Sequence, residues 1–157
     1  MVTAPMKKQR TAVKNEKQEK KTNGMNKKEM LKSVLEALGH KPQEDKDGDI
    51  FIRYQMKTIY FLTEDDEEEK YVSVLLPQFY SFEEDEAIKT LTACNKLTRD
   101  LKLIKVFVDQ TYGSTSASCE SYYTDEDSLK NSLKRSIGII GLVRMKFYDT
   151  LRELGND

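Results

Sequence analysis

The stretch DGDIFIRYQMKTIYFLTEDDEEEKYVSVLLPQFY, residues 47–80, indicates the fold of this chain more clearly than any other part of the sequence. It holds three short apolar-rich segments, separated by one tight polar turn and one run of acidic residues. Successive side chains of each segment are expected to face opposite sides of a sheet, as they do along a strand. The stretch therefore predicts an antiparallel β-meander. It contains no recognisable catalytic group, so it indicates the architecture and leaves the function open.

Three strands are predicted in this stretch, at residues 49–55, 58–63 and 70–76. The acidic run at residues 64–69 cannot pack in a core and is expected to form an exposed hairpin loop. The third strand is expected to end at Pro77, because proline cannot donate a ladder hydrogen bond.

The rest of the chain is predicted to be mainly helical, because apolar residues recur there at helical spacing. Two further strands follow the second helix, and the last of them is rich in Ser and Thr, which indicates an edge or half-solvated strand. The order α-β-β-β-α-β-β-α predicts an α+β domain, residues 26–157, with a five-stranded antiparallel sheet packed against helices. The remaining elements are expected at residues 26–39 (helix), 83–101 (helix), 102–109 (strand), 114–123 (strand) and 125–154 (helix).

Two of the predicted helices carry distinctive patterns. In the second, the inward stripe is expected to consist of Ala87, Leu91, Cys94, Thr98 and Leu101. The third contains Gly138 and Gly141 inside a long apolar face, although each glycine costs roughly 1 kcal/mol relative to alanine in a helix interior. These two glycines therefore predict a close approach by a sheet, another helix or a second subunit.

The charge of the chain is unevenly distributed. Residues 1–28 carry nine Lys or Arg and only two acidic residues, whereas the rest carries 17 basic and 25 acidic residues. Residues 1–25, the basic tail, are expected to be disordered, because they contain no aromatic residue and few apolar ones to offset an ordering cost of roughly 1–2 kcal/mol per residue. Contact of this tail with the acidic run is one hypothesis, and binding of nucleic acid or another polyanion is a second. Its candidate polyanion-binding residues are Lys7, Lys8, Arg10, Lys14, Lys17, Lys20 and Lys21.

No catalytic, cofactor-binding or metal-binding residues are predicted. The only histidine, His40, follows a helix end, and Cys94 and Cys119 have no metal-ligand spacing and are interpreted as small core residues. An EF-hand that starts at Asp45 would need Gly at its sixth position, which is Ile50, so a polar turn is the better interpretation. The sequence shows neither an apolar signal segment nor a membrane span, and we expect a cytoplasmic protein that is not an enzyme.

Several stretches resemble one protein family. They are LEALGHKPQEDKDGDIFIRYQMKTIYFL, then YVSVLLPQFY, then ACNKLTRDLKLIKVFVD. Together they resemble the YbjN-like family of proposed bacterial sensory-transduction regulators, whose fold is that of type III secretion chaperones. The resemblance covers about residues 28–154 and implies this fold and a binding or regulatory role. The family often has a glycine in the first hairpin turn where this chain has Met56, so a longer or shifted turn is expected there.

The leading functional hypothesis is a protein-binding module, chaperone-like or regulatory, that binds an unidentified protein or peptide. A homodimer is a further hypothesis. An alternative hypothesis is a nucleic-acid-associated protein that acts through its tail, and an unrecognised enzyme would require a deep pocket lined by carboxylates. Aromatic residues that are exposed together would make a protein-binding patch. The candidate protein-binding residues are Phe79, Tyr80, Phe82, Tyr122, Tyr123, Gly138 and Gly141.

Overall fold

The computed structural model describes residues 25–109, 111 and 113–155. The basic tail lies outside that part of the chain except for Met25, so every hypothesis that depends on the tail stays a prediction.

Three α-helices form where periodicity predicts them. The first begins at its predicted cap, because the side chain of Asn26 accepts a hydrogen bond from the N–H of Glu29. The chain leaves the helix at Gly39, two residues after Ala37, where a φ of 91° places the glycine in the left-handed region and the N–H of His40 donates back to the carbonyl of Leu35. The helices are α1 (Lys27–Ala37), α2 (Ala87–Asp100, preceded by a 3₁₀ turn at Glu84–Glu86) and α3 (Glu126–Gly155).

The sheet is antiparallel and has six strands in the order β1-β2-β3-β4-β6-β5. The predicted sheet has five strands, and the additional one is the two-residue β1, which pairs with the start of β2. The strands are β1 (Gln43–Glu44), β2 (Ile50–Tyr54), β3 (Lys57–Thr63), β4 (Tyr71–Ser81), β5 (Lys105–Asp109) and β6 (Ser114–Tyr122).

The prediction that Pro77 ends the third strand is wrong. Strand β4 runs on to Ser81, with a register shift between Leu76 and Tyr80 that accommodates the proline. At this bulge Gln78 takes a φ of 46°, and its N–H donates to Oγ of Ser116 at 2.9 Å.

The prediction of a longer or shifted first hairpin turn is also wrong. Strands β2 and β3 are joined by only two residues, Gln55 and Met56, which have φ values of 48° and 64°. Left-handed residues other than glycine cost roughly 1–2 kcal/mol each. Continuous pairing from Tyr54 to Ile50 along the hairpin offsets this cost, and the Met56 side chain projects fully into solvent.

The Ser/Thr-rich strand β6 is not the predicted edge strand. It lies between β4 and β5, and each residue from Ser114 to Cys119 is buried. Its small polar side chains are shielded by larger neighbours on both adjacent strands, whereas the short β5 occupies the edge of the sheet.

The inward face of α2 also differs from the predicted stripe. The buried residues are Thr90, Ala93, Cys94 and Leu97, whereas Leu91 is 45% exposed and Thr98 is exposed. The α-helix begins only after the 3₁₀ turn, and its packing against β5 and α3 fixes which face turns inward.

All three helices pack on one face of the sheet, the inner face, and one continuous core fills the space between them. Contacts from α3 show this arrangement: Ser132 hydrogen-bonds to Ser121 of β6, and Gly141 lies against Tyr54 of β2. An antiparallel sheet covered on a single side leaves its second face to solvent or to a partner. No described helix has the length and apolar character required to cross a membrane.

Candidate protein-binding face

The outer face is the side of the sheet opposite the helices. Its centre is one row of side chains across five strands, because Phe51 pairs with Tyr60, Tyr60 with Leu75, Leu75 with Ser118, and Ser118 with Lys105. Side chains two residues along each strand extend the same face. We define the outer face by Phe51, Tyr60, Leu62, Tyr71, Ser73, Leu75, Lys105, Phe107, Ser116, Ser118, Glu120 and Tyr122.

The large apolar side chains of this face form a group separate from the core. Phe51, Tyr60, Leu62, Leu75 and Phe107 are all partly exposed, and none of them packs against the core cluster that the helices complete. The rings of Phe51 and Tyr60 lie 5.6 Å apart between centroids, a distance typical of interacting aromatic pairs. This second apolar group therefore contributes little to the main core.

Serines of β4 and β6 form a low floor between the larger side chains. Ser73, Ser116 and Ser118 are all buried, although none of the described helices covers this side. The Oγ atom of Ser118 is buried and has no hydrogen-bond partner among the described residues. An unsatisfied buried hydroxyl typically costs about 1–3 kcal/mol.

Charged groups border the floor. Lys105 forms an ion pair with Glu120 at 2.9 Å, and its amine also lies 6.0 Å from the centroid of the Phe107 ring. At the end of β6, Tyr71 and Tyr122 pack with centroids 5.5 Å apart. Burial and the nearby carboxylate of Glu120 raise the pKa of Tyr71 above its ordinary value, so this phenol stays neutral and able to donate a hydrogen bond at pH 7.

The acidic loop, residues 64–69, adjoins this aromatic end of the outer face. It is held by Lys27, whose side chain is buried and whose Nζ donates to the backbone carbonyls of Glu64 at 2.6 Å, Glu69 at 3.0 Å and Asp66. The carbonyl contacts anchor the loop backbone and leave its carboxylates facing solvent.

Between the acidic loop and the outer face lies an open depression of about 570 Å³. In residues 25–109, 111 and 113–155, no group of His, Cys, Asp or Glu side chains is placed to hold a metal ion. The depression is lined by Glu64, Asp65, Asp66, Glu69, Tyr71 and Tyr122.

The structure does not bring the predicted aromatic residues together. Phe79 and Tyr80 turn to the inner face, where their rings lie 5.2 Å and 5.0 Å from that of Phe147. Tyr123 is buried, whereas Tyr122 is 73% exposed on the outer face. These residues are therefore not exposed together, and among them only Tyr122 lies on the outer face.

Phe82 and the two helical glycines lie at other places. Phe82 lines a separate cleft with Leu91 and Val108. A Cβ atom on Gly141 would lie 2.9 Å from Cε1 of Tyr54, so the predicted close approach at this glycine is to the sheet. A Cβ atom on Gly138 would meet nothing within 4 Å.

Sequence reasoning missed Phe51, Tyr60, Leu75 and Phe107 as candidate binding residues. A signal for them was present, because the predicted strands are apolar at positions of both parities rather than strictly alternating. Strands of that kind are buried on both faces in many proteins. The helices of the described residues cover a single face, and the second apolar set lies on the other face.

The polar turn predicted at Asp45 and the core positions predicted for Cys94 and Cys119 are confirmed. Asp45 closes a turn in which its carboxylate accepts hydrogen bonds from the N–H groups of Asp47 and Asp49, each at 2.9 Å. Cys94 and Cys119 are free and buried, and burial raises the pKa of each thiol to about 11. Neither thiol supplies a thiolate near pH 7, the form that a cysteine nucleophile requires.

Comparison with solved structures identifies the fold. The chain is similar to the crystal structure of YbjN, a proposed transcription regulator from E. coli, with a TM-score of 0.58 and 10% sequence identity. The match covers 74% of this chain and 86% of YbjN. No protein-family profile and no curated protein sequence matches the chain. The α+β, YbjN-like fold predicted from the sequence is therefore confirmed. At 10% sequence identity the match shows a shared fold only.

Proposed function

We propose that this chain, which shares its fold with YbjN, is a non-enzymatic protein-binding module with a chaperone-like or regulatory role. Its partner is a protein or peptide that covers the outer face. The observation that carries this proposal is the second apolar group on that face, which no described helix covers. Contiguous exposed apolar surface rimmed by polar residues is typical of interaction sites.

The chemistry of the outer face supports a protein partner. Complete burial of a Leu or Phe side chain contributes roughly 1.5–3 kcal/mol, and a few such anchors dominate the energy of most interfaces. Leu75 and Phe107 stand on either side of the serine floor and serve as these anchors.

A regulatory role is favoured by the fold, since YbjN is itself described as a proposed transcription regulator. A role in catalysis is disfavoured by the described cysteines, because burial raises the pKa of each thiol to about 11 and both stay protonated near pH 7.

The proposal is tested by capturing partners from an extract of the source cells with three forms of the immobilised full chain. Leu75→Glu places a charge in the middle of the outer face, whereas Leu142→Glu makes the same change at an exposed position of α3 on the helix side. We expect the unmodified chain and Leu142→Glu to retain the same protein, and Leu75→Glu to lose it. Loss with Leu142→Glu and retention with Leu75→Glu would move the binding surface to α3 and overturn the proposal.

A further inference from the structure

We propose that the basic tail docks in cis along the acidic loop and the outer face, where it competes with the partner protein. This inference rests on the proposed function, because it assigns a regulator to the same surface. Four observations support it: the place where the tail joins the fold, the opposite charges of the tail and the acidic loop, the length of the tail, and the chemistry of the outer face.

The tail joins the fold beside the acidic loop. Lys27 is anchored to that loop by its three carbonyl contacts, and its backbone N–H lies 3.4 Å from a carboxylate oxygen of Glu67. The tail therefore joins the fold at Met25, two residues before this anchor and next to the depression that Tyr71 and Tyr122 line. The end of the described chain thus delivers the tail to the border of the outer face.

The charges of the two segments are complementary. The tail carries seven basic residues against Glu16 and Glu19, and the acidic loop carries six carboxylates in succession. Lys27 shows that a lysine amine already finds favourable partners on this loop, although it uses backbone oxygens. The loop carboxylates remain available for the lysines of the tail, and such exposed pairs weaken as salt is added.

The tail is long enough to follow the whole face. An extended segment of 25 residues spans up to roughly 80 Å, whereas the nine residues of β6 span about 30 Å. Because the tail is tethered, its effective concentration at the face is on the order of millimolar, so weak contacts suffice for substantial occupancy.

The outer face offers apolar groups that an extended segment can cover. The tail also carries scattered apolar residues, among them Val2, Met6 and Val13, which suit the partly exposed Leu75 and Phe107. The acidic loop thus attracts the tail, and the serine floor receives it.

Paramagnetic relaxation enhancement in the full chain tests this inference directly. Both native cysteines are buried, so a Thr11→Cys variant accepts a nitroxide label selectively in the tail. At low salt we expect broadening of the amide signals of Ser73, Leu75 and Ser118, with recovery at high salt. The amides of Leu142 and Met145 on the exposed side of α3 are the internal control and should stay sharp.

A matched pair of charge variants sharpens the test. Glu64→Gln, Asp65→Asn and Glu69→Gln together remove three carboxylates and keep the backbone carbonyls that hold Lys27, so we expect roughly three- to tenfold less broadening of the outer-face amides. The control combines Glu36→Gln, Asp127→Asn and Glu153→Gln, which remove three exposed carboxylates from the helices, and should leave the broadening unchanged.

Several outcomes would overturn the inference. One is broadening that is absent from the outer face or equal on both faces. Another is broadening that survives only between molecules, in a mixture of labelled chain and isotope-enriched unlabelled chain. Broadening that disappears on addition of a nucleic acid but not of salt would assign the tail to a polyanion instead. Each of these leaves partner capture by the outer face unaffected, so failure of this inference is distinguishable from failure of the proposed function.

Discussion

The two glycines of α3 offer a paired prediction, because the same substitution should have opposite effects at the two positions. Gly138 is exposed, and a Cβ atom there meets nothing within 4 Å. Gly141 is only three residues away, but a Cβ atom there would lie 2.9 Å from Cε1 of Tyr54. The ring of Tyr54 cannot easily retreat, because His40 packs edge-on against it at 5.7 Å.

The magnitudes follow from two opposing terms. Replacing a glycine in a helix interior with alanine gains about 1 kcal/mol at either position. At Gly141 the overlap with Tyr54 costs roughly 1–3 kcal/mol, as overpacking does elsewhere. Gly138→Ala should therefore stabilise the protein by about 1 kcal/mol, and Gly141→Ala should change its stability by between zero and about 2 kcal/mol in the destabilising direction.

Urea unfolding followed by circular dichroism measures both values under identical conditions. A Tyr54→Leu background supplies the control, since removal of the ring should turn Gly141→Ala from destabilising or neutral to stabilising. Equal stabilisation by the two alanine variants in the unmodified background would refute the close packing of α3 on β2 from which the prediction is derived.

Three further predictions concern other contacts. Thr98→Val removes the hydroxyl that accepts a hydrogen bond from the N–H of Val106 at 3.0 Å and donates one to its carbonyl at 3.2 Å. We expect the free energy of unfolding in urea to fall by about 1–2 kcal/mol. An unchanged midpoint would contradict a role for this pair at the edge strand β5. Lys27→Met should speed amide hydrogen exchange in the acidic loop and lower the free energy of unfolding by roughly 1.5–3 kcal/mol. The control Lys130→Met, at an exposed lysine, should do neither. Equal exchange in both variants would show that Lys27 does not order the loop. Burial raises the pKa of Cys94 and Cys119 from 9.0 to about 11, so the unfolded chain loses these protons first as the pH rises. The contribution of each thiol to the free energy of unfolding is therefore complete below pH 9 and falls between pH 9 and 11 by up to about 3 kcal/mol. Thermal unfolding across that range should show a shallower decline of stability in a Cys94→Ala, Cys119→Ala variant than in the unmodified chain, and parallel curves would count against the pKa shifts.

Most of the secondary structure was predictable, because the governing signals are local. The cap at Asn26, the glycine after α1 and the apolar spacing of α3 each depend on neighbours in sequence. The first hairpin turn and the bulge after Pro77 were not predictable from local rules, since strand pairing holds Gln55, Met56 and Gln78 in left-handed conformations that they disfavour alone.

The position of β6 and the identity of the outer face depend on tertiary context. A run of serines and a threonine indicates an exposed strand, but larger side chains on β4 and β5 bury these small residues. The apolar character of both strand faces was visible in the sequence. Which face the helices would cover, and hence that Leu75 faces outward while Val74 faces inward, became clear only from the fold.

Glutamate substitutions at the adjacent residues Val74 and Leu75 test whether the outer face serves binding rather than folding. The free energy of unfolding is measured for each variant together with partner capture. We expect Val74→Glu to unfold the protein, because Val74 is a core residue, and Leu75→Glu to change stability by no more than about 1 kcal/mol and to abolish capture. A folded Leu75→Glu protein that still captures its partner would refute a binding role for this face, and so would a Leu75→Glu protein as destabilised as Val74→Glu.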